Sequence, residues 1–154
     1  MKHYTIAESV KFAKTYTQAQ LAVVFAGRPT MTILDLMDSP YVPAEHKHVV
    51  VFSAMDRDDI AAVVPALLAK VKELHGADAA VTDGLVQDCA VVKNQNVAST
   101  DDKWVAGAAF QARRVLAAGS GPTATEAALQ LANYVAVRAG WNTVFDLIKR
   151  TVGA

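Results

Sequence analysis

The order of apolar and polar positions predicts β-strands in the first part of the chain. His48–Ala54 contains three consecutive valines followed by phenylalanine, which is typical of a central strand buried on both faces. Leu21–Ala26 and Met31–Leu36 are apolar and flank a turn sequence at 27–29, so this pair predicts a hairpin. The two prolines that follow predict a loop over Asp38–Lys47.

Helices are predicted where apolar positions recur at helical spacing. Ala7–Tyr16 fits a short amphipathic helix. Asp58–His75 fits a longer one, with carboxylates in its first turn and Gly76 at its end. Pro65 is expected to kink or split this second helix, because its ring removes one backbone hydrogen bond and crowds the preceding turn.

Two further strands and a loop are predicted in the middle of the chain. The strands are Ala79–Thr82 and Leu85–Val92, and the polar segment Asn94–Asp102 is the loop. Trp104–Leu116 fits both the alternation of a strand and one stripe of a helix. We favour the helix.

The last part of the chain predicts two more helices. Thr123 and Glu126 form the pattern of a capping box in front of Ala127–Val137, and Gly140 is placed to end that helix. Trp141–Val152 has apolar residues at helical spacing and predicts the final helix. Together, these elements predict one α/β domain over residues 1–154, or a mixed α+β one. Helices would pack on a sheet of four to five strands, and the C-terminal third would be rich in helix.

Composition and charge limit the classes of partner. The 154 residues include 15 basic and 15 acidic side chains, so the net charge is +0 and no global field attracts nucleic acid or an anionic membrane. Because the net charge is zero, copies of the chain do not repel one another, and 53% of the residues are hydrophobic. Both properties favour self-association, so a homo-oligomer is expected. A lone cysteine, Cys89, and an N-terminus without a signal-peptide pattern predict a soluble cytoplasmic protein.

An acidic set is the strongest candidate for catalysis. Asp35 and Asp38 follow one predicted strand, while Asp56 and Asp58 follow another. If both strand ends point the same way, these carboxylates meet at the sheet edge and could bind Mg²⁺ for phosphoryl chemistry. The competing interpretation, that these residues cap helices and begin turns, is more common in proteins.

Three other groups are candidate binding residues. His46 and His48 would share one face of a strand, but a zinc site needs a third ligand that no spacing identifies, so no metal site is predicted. Thr123 follows a Gly-Ser-Gly-Pro segment that could receive an anion, although capping is the simpler role. Arg113 and Arg114 could form part of a basic face, but they also complement the end of a helix.

For each of these motifs a structural role is more common in proteins than the functional one. The sequence therefore favours a non-catalytic binding or regulatory protein. It would act as a homo-oligomer, or bind another protein, through an apolar helical surface, without a cofactor. The alternative is a Mg²⁺-dependent phosphoesterase or nuclease that uses Asp35, Asp38, Asp56 and Asp58. Whether the chain is an enzyme stays open at this level.

Overall fold

The computed structural model describes residues 2–13, 16–75 and 100–153, and most of these residues are helical. The described helices are α1 Ile6–Phe12, α2 Gln18–Phe25, α3 Ile33–Asp38, α4 Ala44–Ala54, α5 Arg57–His75, α6 Thr100–Ala118, α7 Gly121–Ala139 and α8 Trp141–Val152. Extended pairing in these ranges is limited to one antiparallel bridge between Tyr4 and Met31. The predicted α/β fold, with its mixed α+β alternative and its sheet of four to five strands, is therefore wrong.

Capping boxes explain why α1, α2 and α3 form. Thr5, Thr17 and Thr32 each accept a hydrogen bond from the backbone N–H three residues later, and the side chain of that later residue bonds back to the threonine N–H. The two apolar segments predicted as a hairpin are therefore the helices α2 and α3. The turn predicted between them is present, with Gly27 at φ 83°.

The segment predicted as the central strand is also helical. Helix α4 begins directly after Pro43, so the predicted loop over Asp38–Lys47 is wrong in its second half. Val50 is buried in α4, whereas its neighbour Val49 is 40% exposed. A strand buried on both faces would cover both valines, but a helix turns one of them toward solvent.

The helices predicted after residue 57 are confirmed with changes at their ends. Helix α8 has the predicted bounds, α5 starts one residue early, and α5 continues through Pro65 without being split. Helix α6 covers Trp104–Leu116, which excludes the strand alternative, and it also takes up residues 100–102 of the predicted loop. Gly76 and the strands predicted at 79–82 and 85–92 lie outside the described residues.

Helix α7 begins earlier than predicted. Its N-cap is Ser120 and its first residue is Gly121, so Thr123 lies inside the first turn and is not the cap. The predicted end is confirmed, because Gly140 is the C-cap at φ 87°.

The chain divides into two compact units. Unit 1, Met1–Asp56, contains α1 to α4, in which α1 packs on α2 and α4, and α3 packs on α4. Unit 2, Arg57–Val152, contains α5 to α8, and α7 packs on each of the other three. The single domain over 1–154 stays a prediction. No described helix is both long enough and apolar enough to cross a membrane.

Helices α6 and α7 approach each other closely because many of their buried positions are small. The buried alanines are Ala108, Ala109, Ala112, Ala124, Ala127, Ala128 and Ala132. At one end of this contact, Trp104 Nε1 donates a hydrogen bond to the Tyr134 carbonyl oxygen over 2.7 Å. The Arg138 guanidinium lies 4.5 Å from the centroid of the Trp104 ring, at cation–π distance.

Candidate functional site

An apolar groove lies between α5 and α6 in unit 2. Its volume is about 310 Å³. The residues that line this α5–α6 groove are Arg57, Ile60, Ala61, Val64, Pro65, Leu68, Val115, Leu116 and Gly119. Leu116 is 66% exposed although it belongs to an otherwise buried stripe of α6. A large aliphatic side chain left in water beside an apolar hollow is typical of a contact surface.

Pro65 gives the groove part of its apolar character. Its ring replaces a backbone N–H, so position 65 donates nothing to the carbonyl of Ala61 one turn earlier. Both residues are exposed and both line the groove. The proline therefore adds apolar surface to a part of α5 that faces solvent.

A second hollow, of about 300 Å³, lies in unit 1 and includes two of the predicted acidic residues. This Asp35–Asp38 cavity is lined by Val24, Phe25, Ala26, Arg28, Met31, Asp35, Asp38, Ser39, Pro40 and Tyr41. Arg28 Nη1 lies 3.1 Å from Asp35 Oδ1, so one guanidinium is paired with one carboxylate at its edge. The cavity combines charged groups with an apolar and aromatic lining.

Asp35 is held in its charged form by its surroundings. The hydrogen bond from the Thr32 backbone N–H is the main cause that lowers its pKa. Burial, the second-largest effect, raises the pKa, and the Thr32 hydroxyl and Arg28 lower it further. Two of its acceptor positions are thus occupied by protein groups. This arrangement favours a structural role over metal coordination for Asp35 itself.

The lowered pKa of Asp35 predicts a pH-dependent contribution to stability. The folded pKa is below the unfolded one, so the stabilisation is complete above about pH 4 and is lost as the pH falls through the folded value. We expect Asp35→Asn to lower the free energy of unfolding by up to about 1 kcal/mol at neutral pH, the range for partly exposed ion pairs. The difference in the free energy of unfolding between this variant and wild type should become smaller at acidic pH.

Urea unfolding at neutral and acidic pH measures this effect. The asparagine amide keeps an oxygen that can accept from Thr32, so the substitution isolates the charge. Asp146→Asn, at an exposed position of α8, is the matched control and should differ little from wild type at either pH. If Asp35→Asn lowers the free energy of unfolding equally at both pH values, the charge of Asp35 is not the cause of the stabilisation.

Another hollow, of about 360 Å³, adjoins the Asp35–Asp38 cavity and shares Val24 and Tyr41 with it. Its other lining residues are Tyr16, Gln20, Val23, Pro43 and His46. Burial is the main cause that raises the pKa of the Tyr16 hydroxyl, with a contribution from Glu45. That hydroxyl therefore stays protonated at neutral pH.

The structure places His46 and His48 differently from the prediction. They lie two residues apart in α4, about 200° around the helix, so they do not share one face as they would in a strand. Burial lowers the pKa of His48, and His46 lowers it further. Both effects favour the neutral imidazole at His48.

The four acidic candidates are only partly brought together. Asp35 and Asp38 line one cavity, whereas Asp56 Oδ2 lies 3.9 Å from Lys2 Nζ and Asp58 belongs to the first turn of α5 in unit 2. Within the described ranges, no three His, Cys, Asp or Glu side chains are grouped so that they could hold a metal ion. The predicted sheet edge that was to gather them is absent there.

The basic candidates occupy helical surface. Arg114 Nη1 donates a hydrogen bond to Gln111 Oε1 over 2.9 Å, and Arg113 is exposed. Trp104, an aromatic residue of the same helix that could stack on a base if it were exposed, is buried under Arg138. It is therefore occupied within the fold and not presented for stacking on a base.

Sequence analysis did not identify the α5–α6 groove. Leu116 was assigned to the same helical stripe as the buried residues Trp104, Val105 and Val115, and only its exposure separates it from them. The available signal was Pro65, an interior helix proline whose ring adds apolar surface without a donor. Arg28 and Tyr41 of unit 1 were missed as well, since no motif marks them.

The chain was compared with protein-family models, with curated proteins and with solved structures, and none of the three comparisons gives a match.

Proposed function

We propose that this chain is a non-catalytic binding or regulatory protein that acts as a homo-oligomer through the α5–α6 groove. The observation that carries the proposal is the exposure of Leu116 beside an apolar hollow. Exposed apolar surface of this kind costs free energy in water, and association removes it from water.

A second copy of the chain is the partner that best fits the groove. Leu116 lines the hollow between its own helix and α5 and is largely exposed, so one surface offers both an exposed aliphatic side chain and a recess. Two such surfaces related by a twofold axis can fill each other, as in an isologous dimer. The balanced charge of 15 basic and 15 acidic residues adds no net repulsion between copies.

The expected energy of this contact follows from the burial of Leu116. Complete burial of a leucine is worth about 1.5–3 kcal/mol, and a twofold contact buries the residue once in each copy. About one third of each Leu116 side chain is already covered in the monomer, so the two leucines of a dimer together contribute about 2–4 kcal/mol. This free energy corresponds to roughly 30- to 1,000-fold in the dissociation constant. Leu116 should therefore dominate the stability of the oligomer.

Leu116→Lys is expected to weaken self-association by at least about 30-fold, as measured by sedimentation equilibrium up to high micromolar concentration. Lysine near the end of α6 complements the helix dipole, so the monomer should stay folded, which far-UV circular dichroism checks. Val137→Lys is the matched control, because Val137 is 72% exposed on α7 and outside the groove. A strictly monomeric wild type, or equal effects of both variants, would overturn the proposal.

The magnesium-dependent alternative gains no comparable support. Asp35 is engaged by Thr32 and Arg28, and Asp56 lies near Lys2. Cytoplasmic location likewise stays a prediction of the sequence.

A further inference from the structure

A buried hydroxyl group of unit 1 belongs to the hollow that adjoins the Asp35–Asp38 cavity. This hollow, the Tyr16–His46 hollow, has a volume of about 360 Å³ and is lined in part by the Tyr16 side chain. The Tyr16 hydroxyl oxygen is shielded from solvent, and no group of residues 2–13, 16–75 or 100–153 forms a hydrogen bond with it. Nearly all buried polar atoms in folded proteins have a partner, because an unpaired one destabilises the fold. An acceptor atom brought to this hydroxyl would therefore be bound favourably.

The other polar side chains of the hollow also offer donors. Gln20 Oε1 accepts a hydrogen bond from the Thr17 backbone N–H over 2.8 Å, which leaves the amide nitrogen of Gln20 to donate. His46 is exposed, and its ring carries at least one N–H in either protonation state. A ligand that presents an acceptor oxygen matches these groups, whereas one that presents only donors does not.

The rest of the lining sets the body and the charge of such a ligand. Val23 and Tyr41 are 58% and 53% exposed, so their apolar surface gains free energy when a ligand covers it. Glu45 contributes to the raised pKa of Tyr16, which means that its negative charge acts at the hydroxyl. That charge disfavours an anion beside Tyr16. The surroundings therefore fit an acceptor oxygen on an uncharged, apolar molecule.

We propose that the Tyr16–His46 hollow binds a small neutral molecule with an apolar or aromatic body and a carbonyl oxygen. The half-buried Tyr16 side chain turns slightly so that its hydroxyl donates to the carbonyl, and side-chain adjustments of this kind are common on binding. The body of the ligand packs on Val23 and Tyr41. A volume of about 360 Å³ lies near the lower end of the range for ligand sites, which fits a compact molecule. This inference does not depend on oligomerisation, because the hollow belongs to unit 1 and the α5–α6 groove to unit 2.

Titration of the full chain with acetophenone, an aromatic ring with one carbonyl group, tests the proposal when it is followed by amide chemical shifts in two-dimensional NMR. We expect saturable shifts at residues of the hollow. Benzoate has a similar size but carries a negative charge, and 1-phenylethylammonium has only donors in place of the carbonyl oxygen. Each should bind about tenfold more weakly than acetophenone. Equal or tighter binding of either charged compound, or the absence of saturable shifts in the hollow, would overturn the proposal.

Tyr16→Phe removes only the hydroxyl and should weaken acetophenone binding about three- to tenfold, the range for one hydrogen bond. The same substitution should not lower the thermal unfolding midpoint, because the hydroxyl has no hydrogen bond to lose within the described part of the chain. Tyr134→Phe is the matched control: it removes a tyrosine hydroxyl from a half-buried position of α7 and should leave the affinity unchanged.

Tyr41→Ala provides a second test, since it removes apolar surface from the hollow and should weaken acetophenone binding severalfold. Full affinity in both Tyr16→Phe and Tyr41→Ala would show that acetophenone binds elsewhere and would overturn the proposal. A lower unfolding midpoint of Tyr16→Phe would do so as well, because it would mean that the hydroxyl is already paired within the folded protein.

Discussion

Phe52→Ala should lower the free energy of unfolding of unit 1 by about 3–5 kcal/mol, the range for truncating a buried aromatic side chain. Phe52 is fully buried in α4, the helix that packs on both α1 and α3. Loss of the ring removes apolar burial and leaves a hollow that the three helices can only partly close. Urea unfolding followed by circular dichroism measures the loss, and amide hydrogen exchange in α1 to α4 assigns it to unit 1.

A matched pair of valines in α4 provides the control. Val50→Ala should cost about 2 kcal/mol, because Val50 is buried and the substitution removes two methyl groups from the core. Val49→Ala should stay within about 0.5 kcal/mol of wild type, since the higher helix propensity of alanine offsets the small loss of burial. Equal losses at the two positions would indicate a segment covered on both sides and would contradict the helix.

Gly107→Val should destabilise unit 2 by about 1 kcal/mol, the lower end of the range for overpacking, because the group that must move is the end of a half-exposed side chain. A Cβ atom at Gly107 would lie 2.5 Å from Cζ and 2.7 Å from Cε1 of Tyr134, and close to its hydroxyl oxygen as well. Real Cβ atoms do not approach so closely, so the ring of Tyr134, a half-exposed side chain, must move aside. Chemical unfolding followed by tryptophan fluorescence measures the effect, since both tryptophans belong to unit 2.

A double-mutant cycle tests whether the Tyr134 ring is the cause. Tyr134→Ala removes the clashing atoms but keeps the backbone carbonyl that accepts from Trp104, so Gly107→Val should cost much less in that background. Ala117→Val, at an exposed position of α6, controls for the helix propensity of valine and should have a small effect. Strictly additive effects of Gly107→Val and Tyr134→Ala would contradict the explanation.

The capping signals before α2 and α3 contradict the strands that their apolar runs predict. Thr17 and Gln20, and likewise Thr32 and Asp35, stand three residues apart directly before apolar segments, which is the signature of a helix start. These segments were interpreted as a hairpin because a turn separates them. A turn between two short apolar runs connects two helices as readily as two strands.

The secondary structure of α4 could not be predicted from its local sequence pattern. A short run of valines and phenylalanine has no periodicity that distinguishes a buried strand from one buried face of a helix. β-Branched residues favour strands only modestly, and packing against neighbouring elements outweighs such preferences. Burial of Val50, Val51 and Phe52 against α1 and α3 is available only in the folded unit.

The sequence by itself determined the helices α5 and α8, because long segments with apolar residues at helical spacing and glycine or charge at their ends admit few other structures. Their packing was decided by the tertiary structure. Leu116 belongs to the same stripe as Val115, yet only the arrangement of α5 beside α6 leaves it exposed at a groove. Likewise, the ends of α2 and α3 share a cavity because helices placed by distant contacts converge there, and no local pattern encodes that convergence.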